Sequence, residues 1–191
     1  MCARYETLTK KTLDHFAPRT DDGLIDLAKW GEIRPTDSGL LIGYDREFMI
    51  RRWGLMPEWA KQPVINAKAE EAHTRRTFQP LLNARCVIPA AAYYEWRTEG
   101  SHKLKMRIGG TEPLAFAGLY TDETFVMFTC AAAPSVAPIH HRMPALLDAD
   151  GIDAWLNPDA DYDDLRPLLT PWMRPLTATD ASPPPRQGSL F

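Results

Sequence analysis

Cysteine is scarce in this chain: three in 191 residues, an odd number, with no pair at metal-binding spacing. That argues against a disulfide framework and against a zinc site, so no metal and no other cofactor is expected. Long apolar runs are also missing, and none approaches the length that spans a bilayer. The N-terminus lacks a basic stretch followed by an apolar core, the mark of a secretory signal, so a cytoplasmic location without a membrane partner is expected. There is no internal repeat. A surplus of positive charge is absent too, since the formal net charge is −3, and bulk charge alone does not announce a nucleic-acid binder.

What is present is an ordinary globular composition, 45% apolar and 25% charged, in a chain long enough for one sizeable core and too short for two. Basic residues crowd the first two-thirds, among them Arg4, Arg51, Arg52, Lys68, Arg75, Arg76 and Arg85. Acidic residues crowd a later stretch that includes Asp148, Asp153, Asp161 and Asp163. A basic face beside an acidic flank can steer a polyanion; solvated mixed charge is the plainer alternative.

Thr9–Phe16 and Leu24–Trp30 read as short helices, with Thr9 and Asp22 as caps. Gly39–Tyr44 and Phe48–Trp53 read as a hairpin. Arg85–Pro89, Tyr93–Trp96, Lys103–Ile108, Leu114–Tyr120 and Thr124–Ala131 read as successive strands. Two short helices are predicted at Gly151–Leu156 and Asp161–Leu169. Many short strands with few helices predict an α+β class: mainly antiparallel β, a barrel-like sheet core and a few short peripheral helices. The expected division is one domain over residues 1–180 and a flexible, Pro-rich tail over 181–191.

The most informative single residue is Cys2, directly behind Met1. Methionine is trimmed readily from in front of a small residue, which leaves an α-amine and a thiol on one residue. Such a 1,2-aminothiol condenses with an aldehyde and closes to a thiazolidine, and its amine is largely unprotonated near neutral pH, with a reference pKa of roughly 7.7–8.0. The competing reading is a frayed terminus. Cys86 and Cys130, in apolar strand-like runs, read as core.

Other candidates are more ambiguous taken one at a time. Glu95 lies between Tyr94 and Trp96; aromatic surroundings would raise its pKa toward the proton-transfer range, whereas strand alternation favours a solvent face. His140 is followed by His141, and neighbours on an extended chain point to opposite faces. Asn66 offers a carboxamide, or merely a turn. Trp53 reads as core, and Trp59, near Pro57 and Lys61, as a platform for an unpaired base.

Five segments occur in order: Met1-Cys2-Ala3-Arg4, Trp53-Gly54-Leu55-Met56-Pro57, Ile65-Asn66-Ala67-Lys68-Ala69-Glu70, Arg85-Cys86-Val87-Ile88-Pro89 running on to Tyr94-Glu95-Trp96, and His140-His141-Arg142-Met143-Pro144. Together they resemble the SOS-response-associated peptidase (SRAP) family, the abasic-site-processing proteins, from Met1 to about Leu156. The resemblance implies a covalent thiazolidine crosslink between Cys2 and abasic single-stranded DNA, in a monomeric protein acting in the DNA damage response. It implies Glu95 and His140 as proton carriers, Asn66 as the residue that orients the terminus, and Arg4, Lys68 and Arg142 as phosphate contacts, with Pro35 in a DNA-facing loop. Departures are Lys68 where the family commonly has arginine, Ala3 for glycine, Ala90-Ala91-Ala92 for Ala-Asp-Gly, and no asparagine ahead of Pro35. Two other functions fit the same residues: an N-terminal-nucleophile hydrolase with Cys2 attacking an amide, and a non-covalent single-strand-binding module indifferent to Cys2. The last residues, with Gln187, Leu190 and Phe191, resemble the short peptide that docks on the bacterial sliding clamp, which would place the protein at replication forks on the nucleoid.

Overall fold

The structure, a computed structural model, describes residues 2–16 and 22–183. In chain order its elements are β1 (Tyr5–Glu6), a 3-10 helix (Lys10–His15), α1 (Asp22–Leu27), β2 (Glu32–Ile33), β3 (Ser38–Ile42), β4 (Phe48–Trp53) and β5 (Asn66–Lys68). Two further 3-10 turns follow at Ala72–Thr74 and Gln79–Leu81. Then come β6 (Arg85–Ala90), β7 (Ala92–Glu99), β8 (His102–Gly109), β9 (Leu114–Tyr120), β10 (Thr124–Ala131) and β11 (Arg142–Pro144). The chain continues through α2 (Ala149–Leu156), α3 (Tyr162–Leu165) with a 3-10 extension (Arg166–Leu168), and β12 (Thr177–Asp180).

Five strands close on themselves: β4 pairs with β3, β3 with β6, β6 with β9, β9 with β10, and β10 returns to β4. Only the β4–β10 seam of that barrel is parallel, so the predicted mainly antiparallel α+β barrel is what forms. Closure leaves no free edge among these strands. It also explains why β6, β9 and β10 read as continuous apolar runs: both of their faces are covered, and alternation disappears.

Strand β10 is the organising element. Along one edge its start pairs with β4 and its middle with β5; along the other, Phe125–Met127 pair with β9 and Thr129–Ala131 with β11. A second, wholly antiparallel sheet, ordered β12–β8–β7–β1–β2, carries the N-terminus. The two layers meet over an aromatic cluster in which the Tyr5 ring lies 5.4 Å from Trp53 and 6.0 Å from Phe116.

Several charges that looked like surface have structural duties. Arg85 is buried and donates to the main-chain oxygens of Trp155 at 2.9 Å and Asn157 at 2.7 Å, satisfying carbonyls at the end of α2. Asp148 and Asp161 are N-caps of α2 and α3, accepting from Gly151 N–H and Asp163 N–H. Thr9 caps the first 3-10 helix as expected, whereas Asp22 is the first residue of α1 and not the residue before it. The strands missed by pattern reading, β1, β2, β5, β11 and β12, are two to four residues long. That is too short for alternation to register. Among the described residues no helix is long and apolar enough to cross a membrane.

Gly54, in the Trp-Gly-Leu-Met-Pro segment, has φ of 118°, and a Cβ there would sit 2.6 Å from Pro63 Cβ, so only glycine fits. At Gly39 a Cβ would meet the Tyr5 hydroxyl at 2.2 Å. That hydroxyl is buried without a hydrogen-bond partner among the described residues. Gly39→Ala is therefore expected to destabilise by about 1–3 kcal/mol through overpacking, and Tyr5→Phe to recover part of the loss. Urea unfolding of the two single variants and the double variant measures the coupling; additive effects would contradict the contact.

Candidate active site

The N-terminus is led into place by β1. Tyr5 pairs with Tyr93 and Glu6 with Ala92, and the pairing is extended by Tyr94 N–H donating to Arg4 C=O at 2.9 Å and Ala91 N–H to Glu6 C=O at 2.8 Å. Cys2 is thereby laid beside the segment of β7 that carries Glu95. It is completely buried, and its thiol donates to Arg4 C=O at 3.4 Å. Burial, with the negative charge of Glu95 close by, pushes that thiol far above its ordinary pKa.

Glu95 is only 2% exposed. The first four residues of β7 are all buried, so the solvent-facing position that strand alternation favoured is not the one it takes. Burial raises its carboxyl from the usual range to about 7, where it can both give and accept a proton near neutral pH. His140 Nδ1 stands 3.8 Å from Glu95 Oε1. The same nitrogen lies 3.0 Å from Arg142 N and 3.1 Å from Arg142 O. Desolvation lowers the His140 pKa, which favours neutral imidazole in the resting site.

Asn66 reaches Cys2 from β5, its Nδ2 donating to Cys2 C=O at 2.7 Å. Its Oδ1 is buried and has no hydrogen-bond partner among the described residues. A buried acceptor of this kind calls for a donor, and it sits beside the main chain of Cys2. Four residues selected from the sequence (Cys2, Asn66, Glu95 and His140) are thus brought together from the β1 lead-in, β5, β7 and the β11 lead-in. His141 does not point away as expected of an extended chain. The chain bends there, and the two imidazoles stack with centroids 4.4 Å apart.

The cations selected as phosphate contacts are less free than the sequence suggested. Arg4 donates to Glu32 at 2.6 Å and lies over the Trp96 ring at 5.3 Å. Glu32 also holds Lys105 and Arg34, and although burial opposes it, these cations keep its carboxyl down at about 2. Arg142 is forked onto Glu70. Lys68 pairs with Glu71 at 3.0 Å but remains half exposed. Pro35 lies in the turn between β2 and β3, where the next residue's N–H, on Thr36, donates to Trp53 C=O. Among the described residues no hydrogen bond or ion pair links that turn to Cys2.

Trp53 is core and Trp59 is 70% exposed, as their settings predicted. Trp59 borders two adjoining hollows. One, of about 330 Å³, is lined by Asn66, Lys68, Arg75 and Phe78; the other, of about 830 Å³, by Arg52, Met56, Leu81 and Thr124. Trp59, Arg76 and Thr77 line both, so the hollow that reaches Asn66 and the larger one meet at an exposed indole. Sequence reading missed the pairing of Glu70, whose partner Arg142 lies 72 residues away, and the placement of Arg76 between the two hollows. It also missed Tyr93, a buried phenol in the electrostatic neighbourhood of Cys2 and Glu95. Gln187, Leu190 and Phe191 fall outside the described residues.

Fold and site together define a class: a small closed barrel flanked by a second sheet, whose strand β1 lays Cys2 beside the buried Glu95, with Asn66 and His140 alongside. The model of the SOS response associated peptidase (SRAP) family matches residues 1–183, and the chain belongs to that family. It is 39% identical over 140 residues to the abasic site processing protein YoqW of Bacillus subtilis, covering 63% of this chain and 62% of YoqW. It is 32% identical over 116 residues to the abasic site processing protein YedK of Escherichia coli, covering 54% and 52%. It is 29% identical over 154 residues to the chicken (Gallus gallus) abasic site processing protein HMCES, covering 59% and 46%. The alignment thus spans less than two-thirds of each of these relatives. A crystal structure from Bacteroides thetaiotaomicron superposes with a TM-score of 0.81 at 23% identity, covering 94% of this chain and 91% of that one. One from Bordetella bronchiseptica gives 0.80 at 24%, covering 95% and 100%. At such identities they establish the shared fold.

The raised Glu95 carboxyl has a consequence for stability. A group whose folded pKa lies above its unfolded value costs stability as pH rises from the unfolded pKa to the folded one, here from the usual glutamate range to about 7. Glu95→Gln removes that dependence. Chemical denaturation across this range is expected to show the variant gaining on the parent by a few kcal/mol, the gain levelling off above pH 7. A constant difference from pH 4 to pH 8 would mean that the carboxylate is not destabilised by burial.

Proposed function

We propose that this protein processes abasic sites in single-stranded DNA by covalent attachment through Cys2, once Met1 has been removed. The observation that supports this reading most directly is the convergence of Cys2 with Asn66, Glu95 and His140. The names of its curated relatives supply the substrate class.

In the proposed sequence the freed α-amine, oriented by Asn66 Oδ1, adds to the C1′ aldehyde of the ring-opened deoxyribose. Glu95, protonated at its raised pKa, gives its proton to the departing hydroxyl and as carboxylate takes up the remaining N–H proton, so that water leaves and an imine forms. The thiol then adds to C1′; its proton passes through Glu95 or His140 to the imine nitrogen, and the thiazolidine closes. One water is lost overall, and nothing is oxidised or reduced. A neutral, deeply buried thiol suits this order, in which sulfur reacts second and loses its proton only as the C–S bond forms. It suits the hydrolase alternative less well, because attack on an amide begins from a thiolate. The strand would run along the two hollows past Trp59, with Lys68, Arg75 and Arg76 beside it. Arg4 and Arg142 would reach phosphate only by exchanging their carboxylate partners.

Incubation with an abasic oligonucleotide, resolved on denaturing gels, tests the scheme. Cys2→Ala is expected to abolish the stable product. Glu95→Gln is expected to slow its formation roughly 10²–10⁴-fold while leaving binding of an uncrosslinkable abasic analogue intact. A stable crosslink from Cys2→Ala, or a Glu95→Gln variant that loses binding but not rate, would defeat the scheme.

We further propose that the C-terminal residues Gln187, Leu190 and Phe191 dock on the bacterial sliding clamp. Titration of a peptide of residues 182–191 into bacterial sliding clamp should show binding that Leu190→Ala with Phe191→Ala removes; no binding at high micromolar concentration would end it.

A further inference from the structure

Glu70 has no part in the scheme above. Its carboxylate takes both terminal nitrogens of Arg142, at 2.8 and 2.9 Å. That contact holds its carboxyl below the ordinary glutamate range. The guanidinium is fixed at a third point, where Nη2 donates to Thr129 C=O at 2.6 Å. The same carbonyl receives the Ala69 N–H at 2.9 Å. The segment after β5, the middle of β10 and the start of β11 are therefore tied through one planar fork. A bidentate fork with a third contact restricts the orientation of the guanidinium, whose Nε is buried without a partner among the described residues.

What the fork steadies is the main chain of Arg142, which faces His140. A neutral Nδ1 accepts the Arg142 N–H at 3.0 Å; a protonated Nδ1 donates to the Arg142 C=O at 3.1 Å. Either protonation state is satisfied without turning the ring. On the remaining side stands Glu95 Oε1, 3.8 Å from the same nitrogen.

We propose that Glu70 is a positioning residue for the reaction: acting through Arg142, it holds the backbone cradle in which His140 Nδ1 takes a proton from Glu95 and returns it. In that transfer the Glu95 O–H bond breaks and the Nδ1–H bond forms, leaving carboxylate and imidazolium; the reverse step restores both. The inference rests on the proposed function, in which Glu95 and His140 carry protons for Cys2. Misplacement of a catalytic group by a fraction of a bond length is sufficient to slow a reaction strongly, so a residue outside the reacting set can matter this much.

The Glu70 side chain is half exposed, so its replacement leaves no hole in the core. Two measurements on the full chain decide the matter. In single-turnover crosslinking at saturating abasic single-stranded DNA, Glu70→Ala and Glu70→Gln are expected to lower the maximal rate about 10- to 100-fold. The half-saturating DNA concentration should stay unchanged, and Glu70→Asp, which keeps the charge, should recover part of the rate. In the free protein, the ¹⁵N resonance of His140 Nδ1 should shift in Glu70→Ala while that of His141 does not. A maximal rate that holds while half-saturation rises and its salt dependence flattens would assign the pair to the DNA grip and overturn the proposal. So would an unmoved His140 resonance, whatever the rate. Failure of the parent protein to crosslink would instead remove the functional reading, and the resonance would still report on the cradle.

Discussion

The pairing of Tyr5–Glu6 with Ala92–Tyr93 puts Cys2 beside Glu95. Two residues of strand are a weak attachment taken alone. Here they are reinforced by hydrogen bonds on either side of the ladder, by complete burial of Tyr5, and by Glu6, which receives both the Arg107 guanidinium at 2.6 Å and the Tyr94 hydroxyl at 3.0 Å. The other members arrive on chain already held in a sheet: Glu95 on β7 of the second sheet, Asn66 on β5 and His140 ahead of β11, the last two strands both paired with β10. The N-terminus alone has to be docked, and its register on β7 decides whether Cys2 meets Glu95.

The second constraint is burial of ionisable groups. Cys2 and Glu95 share an interior from which water is withdrawn, and each is pushed toward its neutral form. For a carboxylic acid this yields a proton donor near pH 7. For a thiol it yields a neutral sulfur, which in the proposed scheme reacts only after the amine has taken the aldehyde. The site is thereby suited to aminothiol condensation more than to thiolate attack. The burial that raises the pKa of both groups is also what makes the resting site costly to ionise.

Much of the fold was legible because the long strands and their turns are locally encoded. Phe48–Trp53, Leu114–Tyr120 and Thr124–Ala131 occur where the sequence put them. The hairpin of β3 with β4 was legible too; the partners of the short strands were not. β5 and β11, which carry Asn66 and Arg142, are three-residue segments ordered by β10 and not by their own propensity. Within the site, Cys2 stood out by chemistry alone, whereas Glu95 and His140 needed the family motifs, since alternation pointed Glu95 the wrong way. The free-cation reading of Arg4 and Arg142 failed to anticipate Glu32 and Glu70, because charge partners tens of residues away leave no trace in a linear pattern.

The central claim is that Cys2 reacts through its amine and its thiol together, and intact mass measures this directly. The purified protein should lack Met1. After incubation with an abasic oligonucleotide, a species should appear at the summed mass of the two less one water, unchanged by borohydride because no imine remains to be reduced. A protein that retains Met1 yet forms the adduct, or an adduct that borohydride converts to a species heavier by two hydrogens, would contradict it.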